Sequence, residues 1–265
     1  LSPDAVIHCA ANARTAECEK SPEAAHRDNV LATERLARAC ADQPDPHHPQ
    51  HAQHPHHVPH PIPLVVCSTD LVFDGERPGG MYAEGDATGP LNAYARSKLA
   101  MERMLAAMGS HAIIARLPLL FGPPANKTAN GTAPGCFLSA WAEHLRGGQE
   151  LVLFTDEWRT PLSARDAARG LLACLGRGAP GQTYHVTGAD RVDRYDLGRR
   201  FAARAAGPLG FDASLMKAGV QADVPMPAPR ARDVSLDGTR ARNDLGFVPR
   251  PLDEELDWTA GVMAG

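Results

Sequence analysis

Three short apolar runs constrain this chain most: Ala5-Val-Ile-His-Cys-Ala, Leu64-Val-Val-Cys and Ala112-Ile-Ile-Ala-Arg-Leu. Each is continuous rather than alternating, which suits a strand covered on both faces, as strands of parallel sheets are. Helical patterns separate them. Ser21-Pro22-Glu23 offers an N-cap, a proline at the first helical position and an acid in the first turn. A helix then runs through Val30, Leu36, Ala39 and Cys40, and Asn92 to Met108 reads as another. This alternation predicts an α/β fold with a doubly wound parallel sheet. Further helices are expected over 137–146, 164–175 and 194–206, with short strands at Leu151-Val-Leu-Phe and Thr183-Tyr-His-Val.

Two stretches interrupt the pattern. Residues 43–63 hold seven of the twelve histidines and seven prolines. Such a segment cannot bury a core and is expected to form a disordered surface insertion. Lone imidazoles on a floppy chain make weak sites, so no metal site is assigned there. Residues 123–135 turn to Pro, Gly, Asn and Thr, which marks a boundary between units 1–122 and 123–265.

Charge narrows the partners. A net charge of −4 and a pI near 6.3 give no electrostatic reason to expect nucleic acid or an anionic membrane. No apolar run reaches the roughly 20 residues that span a bilayer. The opening LSPDAVIHC has no basic region and no long apolar stretch, so no signal peptide is expected. Six scattered cysteines without a CxxC pair read as reduced thiols of a cytoplasmic protein. The chain starts at Leu1 and enters a strand almost at once, so the expectation is that its beginning is missing.

The densest chemistry is Tyr94-Ala-Arg-Ser-Lys98. Helix positions i and i+4 share a face. An ammonium there can stand near both the phenol and a bound ribose, and its charge is expected to lower the phenol pKa. A tyrosine so tuned can protonate a carbonyl oxygen while a nicotinamide delivers hydride to the carbon. The bland alternative is an amphipathic helix with one tyrosine and one lysine on its wet side. Ser68 and Thr69 stand at the carboxyl end of the Leu64 strand, where ligands bind in open parallel sheets. Turn capping by Ser68-Thr69-Asp70 is their alternative role.

These residues reach a family. The chain resembles the extended short-chain dehydrogenase/reductases, and within them the dTDP-4-dehydrorhamnose reductase (RmlD-like) type. The matching pieces are PDAVIHCAA, CEKSPEAAHRDNVLAT, STDLVFDG, YAEGDATGPLNAYARSKLAMER, ARLPLLFG, FTDEWRTPLSARDAARGL, YHVTGADRVDRYDLGRR and PRARDVSLDGTRARNDLGF, in family order along nearly the whole chain. The resemblance implies a Rossmann-like fold lacking its N-terminal strands, with a small C-terminal substrate-binding part. Segments around 160–188 would return to the first domain. It implies a catalytic set of Thr69, Tyr94 and Lys98, with Thr69 polarising the carbonyl and Lys98 holding the nicotinamide ribose. Ala10, Ala11, Asn29 and Ser68 join Tyr94 and Lys98 in contacting or supporting an NADP or NAD cofactor. Phe137, Arg159, Arg230 and Arg232 would line the substrate cleft, and no metal is required. The implied reaction is reduction of a 4-keto nucleotide sugar; a homodimer is the implied assembly.

Three departures from the family pattern accompany the match. No GxxGxxG loop follows an opening strand, Leu71 replaces a tyrosine, and Leu119 replaces a tryptophan. The first makes poor NAD(P)H binding by the chain as given, and an unfinished sheet edge, the expectation. RLPLLFG, FTDEWRTP and PRARDVSLD also resemble the regulatory β subunit of methionine adenosyltransferase, a non-catalytic relative. Under that alternative the partner is the transferase's catalytic subunit. A third reading is an inactive paralogue.

Overall fold

The computed structural model describes residues 3–41, 61–123, 136–226 and 228–265. Most of the histidine-proline tract and of the 123–135 loop therefore lies outside the described residues. The first half runs β1 (Val6–His8), α1 (Thr15–Lys20), α2 (Pro22–His26), a π-helical turn (Arg27–Leu31), α3 (Ala32–Ala41), β2 (Leu64–Thr69), α4 (Ala93–Ala107), β3 (Ile113–Leu117) and β4 (Leu120–Phe121). Then come α5 (Phe137–Arg146), β5 (Leu151–Phe154), β6 (Trp158–Arg159), β7 (Leu162–Ser163), α6 (Ala164–Arg177) and β8 (Thr183–His185). The chain closes with β9 (Val192–Asp193), α7 (Arg194–Leu209), β10 (Met216–Gly219), α8 (Thr239–Leu245) and α9 (Leu252–Ala264).

The central sheet has the order β1-β2-β3-β8 and is parallel throughout. Alternate side chains divide it into two faces. Leu64, Val66 and Ile114 pack with Val30, Ala37, Met101 and Leu105 of the α3–α4 side. Val65, Ile113, Ala115 and Leu117 pack with Ala167, Leu171 and Cys174 of α6 and with Ala241 and Leu245 of α8. Both faces are thus covered, which explains why the strands read as unbroken apolar runs. The chain has a Rossmann-like, doubly wound parallel sheet. α8 (Ala241 and Leu245) covers the same face as α6.

A second apolar cluster joins α5, α7 and α9 to β5, centred on Leu138, Leu153, Phe201 and Leu256. β5 pairs in parallel with β10. This smaller C-terminal layer carries the wall that faces the sheet's carboxyl edge.

Local signals fix the helix that matters most. Asn92 precedes α4 in an extended conformation and its side chain accepts from the Ala95 N–H at 2.9 Å. Helix formers fill the interior: Ala, Arg, Lys, Leu, Met and Glu. The helix stops at Gly109, at φ 61°. There Ser110 N–H bonds Leu105 C=O at 3.1 Å, a left-handed glycine closure. Met101 and Leu105 are almost wholly buried on its sheet side, so truncating Leu105 to alanine costs about 2–5 kcal/mol.

The Ser21 expectation needs correction. Ser21 does precede Pro22, but its side chain makes no capping bond. An unexpected α1 ends on the same residue, and Ser21 N–H closes it against Glu17 C=O at 3.0 Å. One residue joins two helices and its backbone is held by the first.

Candidate active site

A cleft of about 1210 Å³ opens at the carboxyl ends of β1, β2 and β3. Thr69 sits at the last position of β2, and Tyr94 and Lys98 face the cleft from the first turns of α4. Ala11 and Ser68 also line it, as do Arg159 and Arg230 from the C-terminal layer. Leu71 and Leu119, the two departures from the family pattern, lie on its wall as well.

The other expected site residues lie elsewhere. Asn29 sits in the π-helical turn, buried. Its side chain accepts from Asn12 N–H at 2.8 Å and donates to Asn12 C=O at 3.0 Å and to Ser97 Oγ at 2.8 Å. It therefore ties the loop after β1 to α4 without lining the cleft. Ala10 is exposed beside that loop. Phe137 packs edge-on against Trp141 with the Arg194 guanidinium above it. Arg232 projects outward, and its backbone carbonyl accepts from Trp158 N–H and Arg159 Nη1.

Burial decides the electrostatics. Tyr94 is pushed above the ordinary phenol range, first by burial and then by the nearby Asp70 carboxyl; a hydrogen bond with Thr69 acts the other way. Helix spacing alone predicts the opposite direction. Desolvation of the half-buried phenol in the cleft wall decides the sign. Lys98 is pushed down by burial. Among the described residues the one hydrogen-bond contact of its ammonium is Met101 Sδ at 3.5 Å. Three strong donors thus meet a single weak acceptor.

Thr69 Oγ1 donates to Asp70 Oδ1 at 3.0 Å and accepts from Leu71 N–H at 3.2 Å. The hydroxyl is therefore both a cap and a neighbour of the phenol. Ser68 donates instead to the buried Glu102, which Arg116 grips at 3.1 and 2.8 Å. That polar knot supports β2 from behind. Arg116 also faces His185 Nε2 at 3.3 Å, and burial with this positive neighbour pushes His185 down to about 3.

Three residues escaped the sequence reading. Asp70 is buried, its carboxyl raised to about 6 by burial, and Oδ2 has no hydrogen-bond partner; Arg159 Nε stands 3.7 Å away. Glu157 is buried among Arg159 at 3.5 Å, Arg194 at 3.8 Å and Arg230 at 2.9 Å. Arg194 is lowered to about 10 by burial, and its Nη1 also lacks a partner. Three guanidiniums here face two carboxylates. FTDEWRTP holds the local Glu157–Arg159 pair, whereas Asp70, Arg194 and Arg230 lie far from it in the sequence and only the fold joins them to it.

A parallel sheet with a Tyr-x-x-x-Lys helix opening beside its carboxyl edge defines the extended short-chain dehydrogenase/reductase class. A profile of the RmlD substrate binding domain matches residues 55–262, and the chain belongs to that family. It is 33% identical over 254 residues to a protein from Haloferax volcanii described as a probable low-salt glycan biosynthesis reductase, covering 96% of this chain and 75% of that one. A solved dTDP-4-dehydrorhamnose reductase from Clostridium acetobutylicum superposes with a TM-score of 0.76 at 26% identity, covering 98% of this chain and 81% of that chain. The zebrafish (Danio rerio) methionine adenosyltransferase 2 subunit beta is 28% identical over 202 residues, which is 74% of this chain and 54% of that protein.

No helix of the described residues is long and apolar enough to cross a membrane. No group of three or more His, Cys, Asp or Glu suited to a metal occurs among them either.

Proposed function

We propose that this chain carries the reducing site of a 4-keto nucleotide-sugar reductase. The observation that carries the reading is the convergence of Thr69, Tyr94 and Lys98 on one cleft at the carboxyl ends of parallel strands. The donor set suits a nicotinamide nucleotide, NADP or NAD: a buried ammonium whose present contact is a thioether is chemically matched to ribose hydroxyls. Lys98 and Tyr94 would hold that ribose, with Ala11 beside it. When bound, the nucleotide supplies hydride to the carbonyl carbon.

The chain's own residues handle the proton. Burial keeps the Tyr94 phenol protonated at neutral pH, so it enters the reaction as an acid. It releases the proton as negative charge develops on the carbonyl oxygen. Thr69 orients the phenol. Lys98 stabilises the phenolate left behind, and low exposure strengthens that attraction. Arg159 and Arg230, with Arg194 behind them, form the cationic side suited to a nucleotide diphosphate. Leu71 and Leu119 place apolar surface beside the sugar, which suits a deoxygenated carbon.

The test is NADPH or NADH oxidation in the presence of dTDP-4-keto-6-deoxy sugars, comparing the chain with Tyr94→Phe. Sugar-dependent oxidation that the substitution abolishes supports the reading; equal turnover in both proteins overturns it. The likeness to the methionine adenosyltransferase 2 β subunit favours a second reading, a regulatory subunit that keeps the pocket but catalyses nothing. Its mark is co-purification with the transferase's catalytic subunit in the absence of any sugar-dependent oxidation.

A further inference from the structure

Cys9 follows β1 and Cys67 lies in β2, side by side in the parallel register that pairs His8 with Val66. Their Sγ atoms are 3.6 Å apart, and both line the cleft. Cys9 is exposed while Cys67 is half-buried. Neither thiol has a part in the proton chemistry above.

We propose that Cys9 and Cys67 form a thiol–disulfide exchange site for small disulfides, with Cys9 as the entry thiol and Cys67 as the resolving thiol. In the first step the Cys9 thiolate attacks one sulfur of a small disulfide RSSR. A Cys9–SR bond forms, the S–S bond breaks and RS⁻ leaves, taking up the proton that Cys9 released. In the second step Cys67 sulfur attacks Cys9 Sγ and expels the second RS⁻, which takes up the Cys67 proton. The sum is two protein thiols plus RSSR giving one protein disulfide plus two RSH, so the small disulfide is the oxidant and the electrons balance.

The geometry sets the order. Solvent reaches Cys9 first, and burial pushes Cys67 up to about 12, so Cys67 is a poor entry nucleophile. The next causes of that rise are the charge of Cys9 and the hydrogen bond to it. Capping Cys9 as a mixed disulfide removes both. Lys98 then acts on Cys67 in the direction of the thiolate. A disulfide bond is about 2 Å long, so side-chain rotation across a 3.6 Å gap brings the sulfurs together. The consequence is protective. A bulky adduct on Cys9 would plug the cleft, and Cys67 converts it to a compact bridge.

The site needs only the two thiols and the cleft, so it stands or falls independently of the reductase reading. The chain is incubated with glutathione disulfide and examined by intact mass and peptide mapping. The expected product has lost two hydrogens and carries a Cys9–Cys67 linked peptide. Cys67→Ser should instead retain one glutathione on Cys9, and Cys9→Ser should yield neither product at this pair. The proposal is overturned if the unsubstituted chain keeps glutathione on Cys9, or if Cys9 stays unmodified in the folded chain while reacting after denaturation. Circular dichroism of both variants verifies folding. Should Cys67→Ser misfold, Cys67→Ala supplies the same arm.

Discussion

The two walls of the cleft solve the burial of polar groups in opposite ways. On the α4 wall the reactive groups are held short of good partners: Lys98 has a thioether, and Tyr94 is raised by desolvation. On the C-terminal wall buried charges of opposite sign face one another, with Glu157 among three guanidiniums and Asp70 beside Arg159, although Asp70 Oδ2 and Arg194 Nη1 have no hydrogen-bond partner. The difference separates a wall that acts from a wall that holds. A group kept under-partnered in the resting protein gains most when a ligand arrives, whereas a paired group must trade one partner for another.

The largest effect is expected from Tyr94→Phe. A positioned general acid contributes on the order of 10²–10⁴-fold, so sugar-dependent NADPH oxidation should fall by about that factor while nucleotide affinity holds. Steady-state kinetics with a fluorescence titration reads both. A variant within twofold of the parent in turnover would reduce α4 to scaffolding.

Lys98→Met removes the under-partnered charge from the α4 wall. Burial lowers the lysine's pKa, so its charged form is disfavoured in the fold; stability falls as pH drops from the ordinary lysine value of 10.5 to the lowered one, below which the cost is complete. Replacing it with a neutral side chain of similar length should raise Tm at neutral pH while nicotinamide binding weakens by about 10- to 100-fold. Calorimetry and a binding titration check the two halves. A lower Tm would mean that the ammonium is well partnered and the wall is not held short.

Asp70 joins the walls and gives the next effect. Its folded pKa of about 6 lies above the ordinary carboxylate value of 3.8, so the folded chain holds that proton more tightly than the unfolded one. The stability cost is therefore complete above about pH 6 and vanishes as pH falls toward 4. Asp70→Asn should raise unfolding stability by about 1–3 kcal/mol at pH 7.5, trimmed by the partner that Arg159 loses, and by much less at pH 4.5. Urea denaturation at the two pH values decides. An equal difference at both would show that the carboxyl is not the source.

How much of this was legible follows from distance along the chain. The four strands of the central sheet, β5, and the span of α4 are readable because each rests on contiguous residues. α5 matches the 137–146 reading for the same reason. The Tyr94–Lys98 pair was visible because four residues make one helical turn. The direction of the Tyr94 shift was not, since it depends on what buries the phenol. Ser68 was read toward the cofactor, yet its hydroxyl serves Glu102, a residue 34 positions later. The Glu157 cluster brings Arg194 and Arg230 to the local Glu157–Arg159 pair, and no local pattern connects those two arginines to it. Asn29 is the intermediate case: family resemblance pointed to the strand end, and its bonds to Asn12 and Ser97 supply the physical reason.

The smallest expected effect belongs to the wall that holds. The Arg230 side chain is 43% exposed, and its bond to Glu157 at 2.9 Å is one of three that the carboxylate makes with guanidiniums. Arg230→Ala leaves Glu157 with Arg159 and Arg194, so unfolding stability should change by less than about 1 kcal/mol. The change should instead appear in KM for the nucleotide sugar, which rises several-fold with kcat nearly constant, because a lost binding contact weakens ground state and transition state alike. If kcat falls while KM stays put, Arg230 stabilises charge that develops only in the transition state. The C-terminal wall would then share in the chemistry, and the division between an acting and a holding wall would fail at the residue where it is easiest to test.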